Sequence, residues 1–236
     1  MTESKSKLDY ATPPQKRAPL RDDFAYIAPM GAFLALTWVG GTWPNLYAAS
    51  YLAKTIVAAA LLILLRRAYT PIRWNAWWLG AILGVLGIFQ WVGMQLWLQQ
   101  HVEFFRPKGE PFNPFDAFAT PLGQWSFISL RLLDAVIVVP FMEELFWRDF
   151  LWRSIDAPND FKLAQVGEHN WLSFVGVTLA FATVHGNWWL TAIVWAAMIG
   201  GLLWYTRSLG ACIVMHAVTN LLLGLYVLRT HDWWFW

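Results

Sequence analysis

The stretch Trp77-Trp-Leu-Gly-Ala-Ile-Leu-Gly-Val-Leu-Gly-Ile-Phe-Gln-Trp-Val-Gly-Met-Gln-Leu-Trp-Leu98 contains no charged residue. About 20 apolar residues in a helix rising 1.5 Å per residue cross the hydrocarbon of a bilayer, and this run has that length. A helix is also what the run must form there, because an open strand would leave backbone polar groups unpaired in lipid. Six further apolar runs flank it: Phe24 to Trp43, Tyr47 to Leu65, Trp125 to about Trp147, Trp171 to His185, Trp188 to Tyr205 and Gly210 to Leu228. The expected fold is therefore all-α, a polytopic transmembrane helix bundle of about seven spans. Composition agrees, with 58% hydrophobic and 14% charged residues where a soluble domain carries about 25% charged. Many of the 18 Trp fall at the ends of the runs, where indole rings favour the membrane interface.

The 236 residues carry a net charge of +2, too little and too dispersed for a nucleic-acid surface, so the expected partners are the lipid bilayer and something held in it. The single cysteine, Cys212, rules out an intrachain disulfide and a cysteine-based zinc site. Residues 1–22 are polar and proline-containing and read as a disordered cytoplasmic tail, leaving 23–236 as one transmembrane domain. Lys5, Lys7, Lys16, Arg17, Arg21, Arg66, Arg67, Arg73, Arg148, Arg153, Lys162 and Arg207 fall in alternate loops. The opposite loops hold Arg106, Lys108 and Arg229, which puts the N-terminus in the cytoplasm. Gly80 and Gly84 form a small-xxx-small pair suited to close helix packing.

Charges within apolar runs are costly enough to need a partner or a function. Arg131 and Asp134, three apart, are expected to pair on one helix face. Pro140-Phe-Met-Glu-Glu-Leu-Phe-Trp-Arg-Asp149 holds two adjacent carboxylates and an arginine. Glu144 and Arg148 stand at i and i+4 in the favourable order for an ion pair. Glu143 points about 100° away and keeps no such partner, as suits a carboxylate whose pKa is to be raised for general-base work. Asp149 reads as an interface charge. Phe181 and His185 share one helix face, and His216 and Asn220, again at i and i+4, present an imidazole and an amide together. Helix-to-helix polar contacts are the bland reading of each alone.

Taken in order, Glu143-Glu144-x-x-x-Arg148, Phe181-x-x-x-His185 and His216-x-x-x-Asn220 resemble the three motifs of the CAAX prenyl protease and bacteriocin-processing family of intramembrane proteases. The resemblance covers about 125–228, the expected catalytic part. The run Val139 to Arg153 further resembles the bacterial, exosortase-associated branch called CAAX prenyl protease-related. The resemblance implies an integral protein of a bacterial inner membrane that hydrolyses a peptide bond in a membrane-associated peptide or protein. Glu143 with His185 would activate water, and His216 and Asn220 would stabilise the oxyanion. Glu144, Arg148 and Phe181 would support them. No cofactor is required on this reading. The metalloprotease alternative would use Glu143, His185 and His216 as zinc ligands with a water in the fourth place.

Other classes stay open on sequence alone: a proton-coupled transporter with a buried Glu/Arg/His network, a haem carrier using His185 and His216, or a non-catalytic family member. One tension concerns depth. With simple spans Glu143 lies near the cytoplasmic end of the fourth, His185 near the outer end of the fifth and His216 about 10 Å inside the seventh. Bringing them together requires either a break at Pro140 or a displaced fifth span.

Overall fold

The computed structural model describes residues 20–236, so the expected tail up to residue 19 lies outside the described residues. Helix α1 runs Leu20–Thr42, starting before the first apolar residue of its run with Asp22 and Asp23 in the first turn, where acids suit the positive end of the helix dipole. Then follow α2 Tyr47–Leu64, α3 Trp77–His101, α4 Pro121–Asp156, α5 Trp171–Thr183, α6 Trp189–Thr206 and α7 Leu209–Thr230. Six of these are long and apolar enough to cross a membrane, and α5 is a shorter apolar helix. No strand occurs among the described residues.

Local chemistry sets the helix ends. Thr120 caps α4 by accepting from Gly123 N (3.2 Å), ahead of Pro121. Asn170 caps α5 through Leu172 N (2.9 Å), and Ser208 caps α7 through Ala211 N (3.1 Å). Each fills a backbone donor that the first helical turn leaves open.

The chain alternates between two faces. Loop 65–76, segment 157–170, the α6–α7 turn and the start of α1 meet on one. Tyr69 Oη donates to Ala25 O (3.0 Å), Lys162 Nζ donates to Asp22 (2.6 Å) and Ala68 O (3.0 Å), and Ser208 Oγ donates to Arg73 O (2.8 Å). Burial pushes the Tyr69 hydroxyl up to about 12, so it acts there as a neutral donor. Residues 102–118, Trp188 and the C-terminal aromatics meet on the other, with Phe115 against Trp233 and Trp188 against Phe235. Arg66, Arg67, Arg73, Lys162 and Arg207 thus share one face, the arrangement their loop positions predict.

Helix α3 lies directly on α7, and the glycines decide how closely. A Cβ at Gly80 would stand 2.2 Å from Ala211 O, and one at Gly84 2.7 Å from Met215 O. Thr219 Oγ1 uses the proximity to donate to Gly84 O (3.1 Å). The small-xxx-small pair is therefore a helix contact. Inside, Trp152, Trp195, Phe181, Ile199, Leu203 and Met215 form one buried cluster. Outward, Trp38, Ile56, Leu64, Phe89 and Leu172 are exposed, an apolar surface that lipid covers.

The depth tension resolves at α4. Its 36 residues continue to Asp156, nine beyond the expected end at Trp147, and Pro140 does not break it. Two π-helical segments, Asp134–Val138 and Leu145–Leu151, absorb the irregularity. Asn170, which caps α5, donates from Nδ2 to Asp156 Oδ1 (2.8 Å), so the end of α4 and the start of α5 are level. Counting back from that point, Glu143 lies about 20 Å down α4 and His185 about 20 Å down α5, at 1.5 Å per residue. Glu143 and His185 are level with each other because α4 runs past its expected end, which neither expected solution included.

The expected Arg131–Asp134 ion pair does not form: no such pair is among the salt bridges, and Arg131 Nε and Nη1 and both Asp134 oxygens lack hydrogen-bond partners. Arg131 is held instead with its guanidinium 5.1 Å from the ring centres of Tyr51 and Trp236. Asp149 is likewise not an interface charge. It is completely buried, accepts from Tyr26 Oη (2.9 Å) and pairs with Arg153.

Candidate active site

Three helices deliver the side chains singled out in the sequence to one place. A cavity of about 130 Å³ is lined by Glu143 from α4, Phe181 and His185 from α5 and its following turn, and His216 and Asn220 from α7. Trp91 of α3 and Trp195 of α6 complete its walls.

The charged core of the site is built on Glu144. Completely buried, it accepts from His216 Nδ1 at 2.8 Å and from Arg148 Nη1 at 3.4 Å, with Arg148 Nε 3.4 Å from its second oxygen. The expected i,i+4 pair is thus present, and it reaches across to α7, which the sequence did not indicate. Arg148 is also buried, with its guanidinium 4.6 Å from the centre of the Phe181 ring and 5.8 Å from that of Trp195, faces that attract a cation. Glu143 makes no hydrogen bond to a protein group, so its carboxylate is left to the cavity.

Both imidazoles are oriented by what their Nδ1 atoms do. His185 Nδ1 lies 2.7 Å from Phe181 O. A carbonyl only accepts, so Nδ1 carries the proton and the neutral ring keeps an Nε2 lone pair. The ring stacks on Phe181 with centres 4.3 Å apart, which is the packing expected of the Phe181-x-x-x-His185 spacing. His216 Nδ1 faces the Glu144 carboxylate and donates in the same way, while the Trp195 edge packs against its ring at 4.8 Å. Trp195 in turn stacks on Phe181 at 5.5 Å, so one aromatic column fixes His185, Phe181, Trp195 and His216.

Asn220 is held by a feature that begins with a proline. In the π segment Val139 N donates to Asp134 O, and the next donor in that register would serve Ala135 O. Residue 140 is proline and has no N–H. Asn220 Nδ2 takes the vacant carbonyl instead, at 2.7 Å, leaving its second N–H and its Oδ1 for the cavity. Pro140, read from the sequence as a point of breakage, therefore links α4 to α7.

The residues that sequence reasoning missed are Trp91 and Trp195. Among 18 Trp they were indistinguishable by type from interfacial indoles, and their one signal was position, since both stand in the middle of a run. Glu143, His185 and His216 border the same cavity, but no group of three or more His, Cys, Asp or Glu among the described residues is placed to hold a metal ion.

No curated protein and no solved structure matches the chain. Residues 124–222 match a family model described as Type II CAAX prenyl endopeptidase Rce1-like. That segment contains Glu143, His185, His216 and Asn220 with all three motifs, so the motif resemblance and the matched model converge on one family, the Rce1-like CAAX prenyl endopeptidases, for the part of the chain that builds the cavity.

Proposed function

We propose that this protein is an intramembrane endopeptidase in which Glu143 and His185 activate a water that attacks the scissile carbonyl of a membrane-associated peptide. The observation that carries the reading is the convergence of Glu143, His185, His216 and Asn220 on one cavity, from segments separated by up to 77 positions. Glu143 supplies a carboxylate with no competing hydrogen bond, and His185 presents an Nε2 lone pair fixed by its bond to Phe181 O. Either group accepts the proton of the attacking water, as general-base catalysis requires. The tetrahedral oxyanion then faces the free N–H of Asn220 and Nε2 of His216. The Glu144 carboxylate, 2.8 Å from Nδ1, holds the His216 ring so that Nε2 faces the cavity. Collapse of the intermediate expels the amine, which takes a proton from the group that accepted it. No serine or cysteine enters, so no acyl-enzyme forms.

The reaction proceeds without a metal on this reading, since Arg148, His216 and Asn220 provide the positive potential. We assign the basic face to the cytoplasm, the side that the Lys/Arg asymmetry favours, and the membrane to a bacterial inner membrane on the motif resemblance. The transporter alternative gains no specific support from the geometry.

The decisive experiment compares membrane proteomes of cells expressing the wild type and Glu143→Gln, followed by cleavage of the accumulating substrate with purified protein. Loss of general-base function is expected to reduce turnover by about 10³-fold, with an unchanged unfolding temperature and no effect of a chelator. Normal turnover by Glu143→Gln overturns the mechanism, and loss of wild-type activity on chelation overturns its metal independence.

A further inference from the structure

A second cavity, of about 350 Å³, adjoins the first: Asn220 and Leu223 line both. Its walls include Tyr51, Lys54, Arg131 and Ala135. Lys54 and Arg131 are 8% and 5% exposed, so two cations have been brought inside the bundle at a place where neither is used by the chemistry above. Aromatic faces hold them, with Lys54 Nζ 4.0 Å from the Tyr51 ring centre and the Arg131 guanidinium 5.1 Å from those of Tyr51 and Trp236. Such faces stabilise charge without occupying N–H donors. Arg131 Nε and Nη1 accordingly make no hydrogen bond, and Lys54 makes one long bond, 3.4 Å to Thr37 Oγ1. No salt bridge joins either cation to Asp134, and neither Asp134 oxygen is hydrogen-bonded.

Buried donors left open are costly, and a planar guanidinium fork matches a carboxylate. We propose that this second cavity binds a carboxylate of the peptide whose scissile bond lies in the Glu143 cavity, with Arg131 and Lys54 as its specificity-determining residues. The inference rests on the peptidase reading. Asn220 stands at the junction, so the carboxylate and the scissile bond lie on its two sides, a short peptide segment apart. The carboxylate is that of a chain terminus or of an Asp or Glu side chain.

The test is calorimetric titration of the full protein in lipid nanodiscs, which needs no turnover and so separates failure of this site from failure of catalysis. The probes are the tripeptide Ala-Leu-Phe as free acid, the same peptide as C-terminal amide, and Ala-Leu-Asp amide, whose carboxylate is on a side chain. The acid is expected to bind about tenfold tighter than the Ala-Leu-Phe amide. Arg131→Gln and Lys54→Met should each remove that preference, and Arg131→Lys should retain part of it. Tight binding of Ala-Leu-Asp amide assigns the side-chain source, and weak binding the terminal one. Equal binding of acid and amide, or binding of neither at millimolar concentration, overturns the proposal on the wild type alone, whatever the variants do to folding.

Discussion

Helix α4 carries two acid–arginine pairs of the same spacing, Glu144 with Arg148 and Asp149 with Arg153, and they have been put to opposite uses. Around Asp149 hydrogen bonding is dense. Tyr26 Oη donates to one oxygen, Arg153 pairs with the other, and Arg153 reaches Thr70 Oγ1 (2.8 Å) and Ala164 O (2.9 Å). Three separate chain segments are fastened to the end of α4 this way. Around Glu144 the bonds to arginine are long, and Arg148 Nη2 and Glu144 Oε2 have no hydrogen-bond partner. The difference teaches that a satisfied buried pair is a clamp, whereas a buried pair with open valences holds its neighbours, here His216, in a state ready for a further group. Both pairs are as buried as the core, so burial alone would not have told them apart.

Exchanging charge for an isosteric neutral group separates the two roles. Asp149→Asn leaves Arg153 buried beside a group that no longer neutralises it and is expected to lower stability by about 3–5 kcal/mol, read as a fall in unfolding midpoint in detergent, with activity lost only in proportion to unfolded protein. Glu144→Gln should do the reverse. Turnover falls by about 10²-fold, because His216 loses the carboxylate that orients its ring, while the folded fraction stays near wild type at growth temperature. A Glu144→Gln protein that is fully active and destabilised would make the two pairs equivalent and break the comparison.

Smaller changes sharpen it. Tyr26→Phe removes one of the hydrogen bonds to Asp149 and should cost about 1–3 kcal/mol with no change in KM, measured on the same unfolding and cleavage assays. Pro140→Ala supplies an N–H that competes with Asn220 for Ala135 O, so turnover should fall several-fold while stability shifts by less than about 1 kcal/mol. An unchanged kcat in Pro140→Ala would mean that the Ala135 carbonyl does not position Asn220.

Much of the site was legible because its motifs are local. Glu144 and Arg148 on one face, Phe181 beneath His185, and His216 with Asn220 are each separated by one helical turn, and 3.6 residues per turn fixes those neighbours before any tertiary contact forms. The end of α4 was not legible. Asp149 and Arg153 read as the polar border of a span, yet both are buried, because their partners Tyr26, Thr70 and Ala164 come from elsewhere in the chain. The Arg131–Asp134 pair failed for a like reason: Arg131 lies over the rings of Tyr51 and Trp236, which come from elsewhere in the chain.

By itself the sequence determined that the chain is a bundle of apolar helices, since lipid accepts no other backbone from such runs, and which residue types meet within each turn. The tertiary structure alone decided that α4 outruns the membrane thickness, that α5 is set level with its end, and that Glu143, His185, His216 and Asn220 therefore share one depth and one cavity. Depth is a relation between helices, fixed by caps, glycine contacts and buried pairs that join residues far apart in the chain, and no single run of sequence contains it.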